Sequence, residues 1–313
     1  AKGVSISSIP EYLESSYAQE ITDEFIEPAH LAGSPGLIQE NDALIFLDFR
    51  EDSIRELTRA FVDEKFDYFP RKKIKNLLVV TMTEYQKGLN ALAAFPHLDI
   101  EWPLTRVISD AGLTQLHIAE TLKYAHVTYF LNGGRENPYP GEDRILVPSL
   151  QTLHLDERPE MKTLEITDKI VDNLKKYDVI IANLANADMI GHTGNYEASL
   201  KAVEELDKSL KIIADAVLAS GGVLLVTGDH GNIEQKRDAI SGEKLTEHSI
   251  NPVPLYLIGR DFKLAAPNSE NKIRQLKKEV QGILIDIAPT ILELLQIKKP
   301  AEMTGESLLR NIQ

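Results

Sequence analysis

Residues 179–192 read VIIANLANADMIGH, and residues 223–232 read VLLVTGDHGN. Each stretch opens with a continuous apolar run of strand length and breaks off into Asp, Gly and His. An apolar run without period-two alternation predicts a strand buried on both faces, as in a parallel or mixed sheet covered by helices. The sequence between them agrees. Asn195–Ser220 has an amphipathic helical pattern, opened by an Asn suited to cap it and closed by Gly221-Gly222. In such sheets ligands sit beyond the carboxyl ends of the strands, so chemistry is expected just after each apolar run.

The same alternation extends outward. Ala43–Leu47 reads as a strand, followed by a helix with apolar positions at Ile54, Leu57, Phe61 and Val62; residues 74–82 form another strand. Leu113–Lys123 reads as a helix, and His126–Leu131 as a strand ending in Asn132-Gly133-Gly134. A helix over Leu164–Lys176, strands over Val179–Leu184, Val223–Val226 and Val253–Ile258, and a helix over Asp286–Leu295 with Pro289 in its first turn complete the pattern. The class is α/β. Residues 95–106, FPHLDIEWPLTR, hold two prolines, the only Trp and no helical period. They place a domain boundary near residue 98, dividing the chain into 1–98 and 99–313.

Composition narrows the function classes. The 313 residues carry 34 Lys and Arg against 48 Asp and Glu, a formal net charge of −14. That balance lacks the broad basic footprint of a nucleic-acid or anionic-membrane binder, while leaving room for a phosphate held by a few local cations or a metal. The absence of Cys excludes disulfides, thiolate nucleophiles and Cys-ligated zinc. Every apolar run falls far short of the ~20 residues of a membrane helix. The opening AKGVSISS has no apolar signal region and no Met, which fits a chain processed or cut from something longer.

Three strand ends carry metal-type ligands: Asp188 and His192 after the first run, Asp229 and His230 after the second, and His248 before the third. Of eight His, these three alone have such company; His30, His97, His117, His126 and His154 are expected in surface or core roles. Asp with neutral His suits Zn²⁺, Mn²⁺ and related ions better than an all-oxygen cage would. Asp188 and His192 share a face if their segment turns helically, and His248 completes a three-ligand set with coordination positions left open. Asp229 and His230 diverge unless their turn is sharp, a freedom that Gly228 and Gly231 supply. They are half of a site.

With these motifs in view, the chain resembles the cofactor-independent phosphoglycerate mutases of the alkaline phosphatase superfamily. The resemblance rests on NLANADMIGHTGN (183–195), LLVTGDHGN (224–232), TEHSINPVP (246–254), DIAPTILELL (286–295) and MTGESLL (303–309). Upstream it continues through YAQEITDEFIEP (17–28), ALIFLDFR (43–50), VVTMTEY (79–85), AETLKYAHVTYFLNGG (119–134) and GEDRILVPS (141–149). It implies an alkaline-phosphatase-like sheet with helices on both faces, plus part of a smaller α/β phosphotransferase domain within residues 1–98. It further implies interconversion of 3- and 2-phosphoglycerate through a phosphoserine by a cytoplasmic enzyme, monomeric when full length. Two divalent ions are expected, foremost Mn²⁺, with Mg²⁺, Co²⁺ or Zn²⁺ as alternatives. By matching motifs, Asp188, His192 and His248 bind one ion, while Asp229 and His230 supply part of an incomplete second shell. Lys123 matches a catalytic lysine on the transferring phosphoryl group, and Arg50 an arginine that grips the substrate phosphate.

Departures from the family pattern set further expectations. Ser53 stands where members usually carry a second Arg. No DGxG-type metal motif and no nucleophilic Ser are matched, so the chain reads as the C-terminal portion of a mutase, inactive in isolation. The competing readings are a related metal-dependent phosphatase or phosphopentomutase, and a non-catalytic metal- or phospho-ligand-binding remnant.

Overall fold

The computed structural model describes residues 3–33, 37–96 and 100–310. The chain divides into two compact units, Ala1–Ser15 with Glu27–Asp99, and Ser16–Ile26 with Ile100–Gln313. Residue 98, where the sequence puts its boundary, lies outside the described residues, as does His97.

In the first unit, β1 (Val4–Ile6) precedes helix α1 (Ile9–Ala18), which belongs to this unit as far as Ser15, and pairs in parallel with β2 (Ala29–Leu31). Strand β3 (Ala43–Phe46) leads through helix α2 (Glu51–Val62) to β4 (Leu78–Thr81), its parallel neighbour, and β5 (Leu92–Ala93) adds in parallel to β4. Their core is Phe46, Val79 and Tyr85, packed by Ile54, Phe61 and Val62 of α2. Leu57, expected on the same stripe, is exposed.

Beyond Ser16–Ile26, the second unit continues with helix α3 (Leu104–Asp110) and is built around β6 (Gln115–Glu120), all six residues of which are buried. Helix α4 (Tyr124–Val127) follows, then β7 (Glu142–Val147), helix α5 (Thr163–Asn173) and β8 (Val179–Ala182). Strands β7 and β8 pair in parallel on either side of β6. Helices α6 (Asn186–Gly191) and α7 (Tyr196–Ser220) lead to β9 (Leu224–Thr227), which pairs antiparallel with β10 (Leu255–Ile258). Helices α8 (Glu270–Leu276) and α9 (Ile287–Leu294) end the fold. Alternate residues of β8 enter opposite cores. Ile180 packs with Ile166 and Ile170 of α5 and Ile213 and Val217 of α7, whereas Val179 and Ile181 pack with Leu104 and Ile108 of α3 and Leu292 of α9. Two covered faces demand apolar residues at every position, which is why this strand shows no alternation.

Two elements differ from the sequence reading. Residues 113–123, read as a helix, form β6 and a 3₁₀ turn over Thr121–Lys123. Leu113, Leu116, Ala119 and Leu122 do fall at helical spacing. The segment is nevertheless paired along both edges, and those ladder bonds outweigh local preference. Residues 126–131, read as a strand, instead continue α4 into successive turns, with Phe130 N–H donating to Ala125 O at 3.0 Å and Asn132 N–H to Thr128 O at 2.9 Å. Gly133 and Gly134 close them at φ of 69° and 84°, a region that favours glycine. His117, fully buried in β6, stands 3.1 Å from Gln115 Oε1 and 3.5 Å from Glu142 Oε1. Burial pushes its pKa down against the opposing pull of Glu142.

Helix α7 is bounded as its sequence indicates. The Asn195 side chain accepts from Ala198 N–H at 3.2 Å, and Gly221 ends the helix at φ 79°. Asn195 also donates to Asp156 Oδ2 at 3.0 Å. Replacing Asn195 with Ala should therefore cost about 1 kcal/mol of stability. Urea unfolding should show this as a lower midpoint with an unchanged slope; an unchanged midpoint would show that the cap contributes nothing.

Candidate metal centre

Helix α6 begins where β8 ends, and its start is pinned from within. The buried Asn186 side chain donates to Pro159 O at 2.6 Å and accepts from the Thr163 hydroxyl. The turn brings Asp188 and His192 to one face, with Asp188 Oδ1 3.0 Å from His192 Nε2. Two loops meet this face. The segment after β9 and the segment before β10 are bridged at Gly231 and Ser249, where Ser249 N–H donates to Gly231 O at 2.9 Å. Glu234 reinforces the bridge, accepting from Ser249 Oγ, from Asn251 at 2.9 Å and from Asn232 N–H at 2.7 Å. As a result the His230 and His248 rings stack with centroids 3.6 Å apart.

The polar atoms converge tightly. His248 Nε2 lies 2.9 Å from Asp188 Oδ1 and 3.1 Å from His192 Nε2. His192 Nδ1–H donates to Thr246 O at 2.8 Å, so in the neutral ring the proton sits on Nδ1 and the Nε2 lone pair faces Asp188 and His248, while in the imidazolium Nε2–H also donates to Asp188 Oδ1. Neighbouring ligand atoms about 2.1 Å from one shared ion stand about 3 Å apart, so this donor set fits a divalent cation. His230 joins it: Asp188, His230 and His248 offer ligand atoms within 4.8 Å of one another. Asp229 is set apart, its side chain 66% exposed and 3.5 Å from His230 Nε2.

The electrostatics centre on Asp188, whose side chain is 14% exposed. Burial alone would raise its pKa, but hydrogen bonds from His192 and Lys123, the Lys123 charge and Asn232 outweigh burial and hold it well below the usual carboxylate range. Lys123, delivered by the turn that follows β6, is buried with Nζ donating to Asp188 Oδ2. The hydrogen bond to Asp188 raises His192, and burial together with the His230 charge lowers His248. Arg50 belongs to the first unit, preceding α2 and pairing with Asp52 at 2.9 Å; Ser53 N–H also donates to Asp52, at 2.8 Å. Sequence reasoning missed Asn232 and Lys236, both buried behind Asp188. Asn232 stands inside the quoted DHGN run; Lys236 carries no signal at all.

The shift on His192 gives a pH dependence with a definite sign. A folded pKa raised by Asp188 means that the imidazolium–carboxylate pair stabilises the metal-free fold below the ordinary His value, and that this is lost as pH rises through the raised one. A metal ion competes with that proton. Mn²⁺ affinity should therefore fall from about pH 8 to about pH 6, with proton release on binding. Calorimetry in buffers of different ionisation enthalpy measures both, and a pH-independent affinity with no proton release would exclude His192 as a ligand.

Comparison with known proteins bears on this geometry. The metalloenzyme superfamily model matches residues 57–299, and a model described as BPG-independent PGAM N-terminus matches residues 1–87. A 2,3-bisphosphoglycerate-independent phosphoglycerate mutase from a Synechococcus species is 45% identical over 306 residues, covering 97% of this chain and 56% of that protein. One from Pseudomonas fluorescens is 46% identical over 302 residues, covering 96% and 56%. A crystal structure of Leishmania mexicana phosphoglycerate mutase at low cobalt concentration superposes with a TM-score of 0.81 at 28% identity, covering 97% of this chain and 58% of that one. The chain thus spans a little over half the length of these relatives. Among the described residues no helix is long and apolar enough to cross a membrane.

These matches correct one expectation. The sequence reads as the C-terminal portion of a mutase, inactive in isolation. The match of the N-terminus model over residues 1–87 overturns that reading, because both the N-terminal and the metalloenzyme parts of the family are represented. The inference of inactivity falls with it. With the metalloenzyme match running from residue 57 to residue 299, across Asp188, His192, His230 and His248, the chain belongs to the metalloenzyme superfamily.

Proposed function

We propose that the protein carrying this chain interconverts 3-phosphoglycerate and 2-phosphoglycerate as a 2,3-bisphosphoglycerate-independent mutase, through a phosphoserine. The observation that carries this is the convergence of Asp188, His192, His230 and His248, with Lys123 laid against Asp188, beyond the carboxyl ends of β6, β8 and β9. Identity of 45% to curated mutases over 97% of the chain supports the substrate class. The same proposal takes the sheet β7-β6-β8, with helices on both faces, as alkaline-phosphatase-like, and places the enzyme in the cytoplasm. It reads residues 1–98 as phosphotransferase and residues 99–313 as metal-binding.

Asp188, His192 and His248 would hold one divalent ion, with Asp229 and His230 serving a second; Mn²⁺ suits this mixture of imidazole and carboxylate. Bound there, such ions supply Lewis-acid stabilisation of phosphoryl oxygens. Two cationic side chains of this chain contribute beside them. The Lys123 ammonium stabilises negative charge on the phosphoryl group in flight, from a site where burial strengthens its field. The Arg50 fork, 47% exposed, is free to exchange Asp52 for a substrate phosphate.

The assay is product identity with 3-phosphoglycerate and Mn²⁺. The expected result is 2-phosphoglycerate without net phosphate release, abolished by chelation; phosphate release without 2-phosphoglycerate would replace the mutase by a phosphatase. Within that reaction Lys123→Ala should cut kcat by ~10²-fold, as loss of one electrostatic stabiliser does. Arg50→Ala should raise KM more than it lowers kcat, because it removes binding shared by ground and transition states. An unchanged KM in Arg50→Ala would assign the phosphate grip to other residues.

A further inference from the structure

Behind Asp188 lies a buried cation that the proposed reaction does not use. Lys236 is 4% exposed, and its Nζ donates to Gly191 O at 3.0 Å and to Asn232 Oδ1 at 2.5 Å. Asn232, also 4% exposed, turns its Nδ2 the other way and donates to Asp188 Oδ1 at 2.8 Å and to Asp188 O at 3.2 Å. An ammonium can only donate and a carboxylate can only accept, so the two ends of this chain specify the same orientation of the amide between them. The Asn232 side chain is wedged against Gly191, where a Cβ would fall on the amide itself. Gly191 closes α6, the helix that carries Asp188 and leads into His192.

Burying an ammonium costs free energy that an apolar side chain of similar length would not. Both hydrogen bonds that compensate the burial lead to the same helix, one through its last carbonyl and one through the amide partner of its carboxylate. We propose that Lys236 is a positioning residue for the metal centre: it locks Asn232 as a donor to Asp188 and so holds the carboxylate in its ligating orientation. The proposal rests on Asp188 being a metal ligand. Asn232 is the part that touches Asp188, and Lys236 acts through it.

A double-mutant cycle read by Mn²⁺ calorimetry tests this. Lys236→Met should weaken Mn²⁺ binding about 10- to 100-fold, the usual cost of losing an outer partner of a ligand. In an Asn232→Ala background the same substitution should cost less than about threefold, because the group it acts through is gone. Wild-type affinity in Lys236→Met, or an equal loss in both backgrounds, would overturn the proposal; a purely structural lysine gives the second result. If Lys236→Met does not fold, Lys236→Gln, which keeps a donor, enters the same cycle under the same criterion of non-additivity. A wild-type protein that binds no Mn²⁺ overturns the metal reading of Asp188, and this proposal with it. Wild-type binding together with an additive cycle overturns this proposal alone.

Discussion

The carboxylate of Asp188 is the constraint on which the second unit is organised. Its two oxygens face His192, His248, Asn232 and Lys123, drawn from four separate segments of the chain. A mostly buried negative charge is tolerable only where cations and donors surround it. The surrounding structure supplies them redundantly: Lys123 from the end of β6, the imidazoles from α6 and the loop before β10, and Asn232 braced by Lys236. With a metal ion at this point, the same donors that now hold a carboxylate become the walls of its site.

Topology explains why these segments meet. Strands β6 and β8 are parallel neighbours, so their carboxyl ends lie at one edge, and Lys123 and Asp188 follow those ends. Strands β9 and β10 are antiparallel, with Thr227 opposite Leu255. The end of one therefore lies beside the start of the other, and His230, three residues after β9, comes against His248, seven residues before β10. The Gly231–Ser249 bridge and the carboxylate of Glu234 then fix the loops that carry them. Asp188 and His192 are neighbours through one helical turn, whereas Lys123, His230 and His248 reach them only because the strands pair.

Membership of the metalloenzyme superfamily and the detailed activity rest on different grounds. The first follows from a match across most of the chain. The second is a proposal built on a site that sets three imidazoles around one carboxylate, with a cation against that carboxylate. Arg50 illustrates the distinction: its pairing with Asp52, from a side chain 47% exposed, is by itself ordinary surface chemistry.

The sequence by itself determined the elements whose causes are local. Unbroken apolar runs marked β8 and β9, and in β8 covering both faces leaves no position for a polar residue. Asn195 and Gly221 marked the ends of α7, because a cap bonds within its own turn. The spacing of Asp188 and His192 marked a shared face for the same reason. What depended on distant pairing was not legible. Leu113–Lys123 has helical spacing and became the central strand only because two other strands bond its edges. The run from His126 to Leu131 looks strand-like, but its carbonyls are taken by nearby turns. Nothing in the local pattern distinguished Lys236 from a solvated lysine, since its meaning lies in partners such as Gly191, 45 residues away along the chain. Periodicity and capping are written residue by residue, whereas the convergence of side chains on one carboxylate exists only after the sheet has formed.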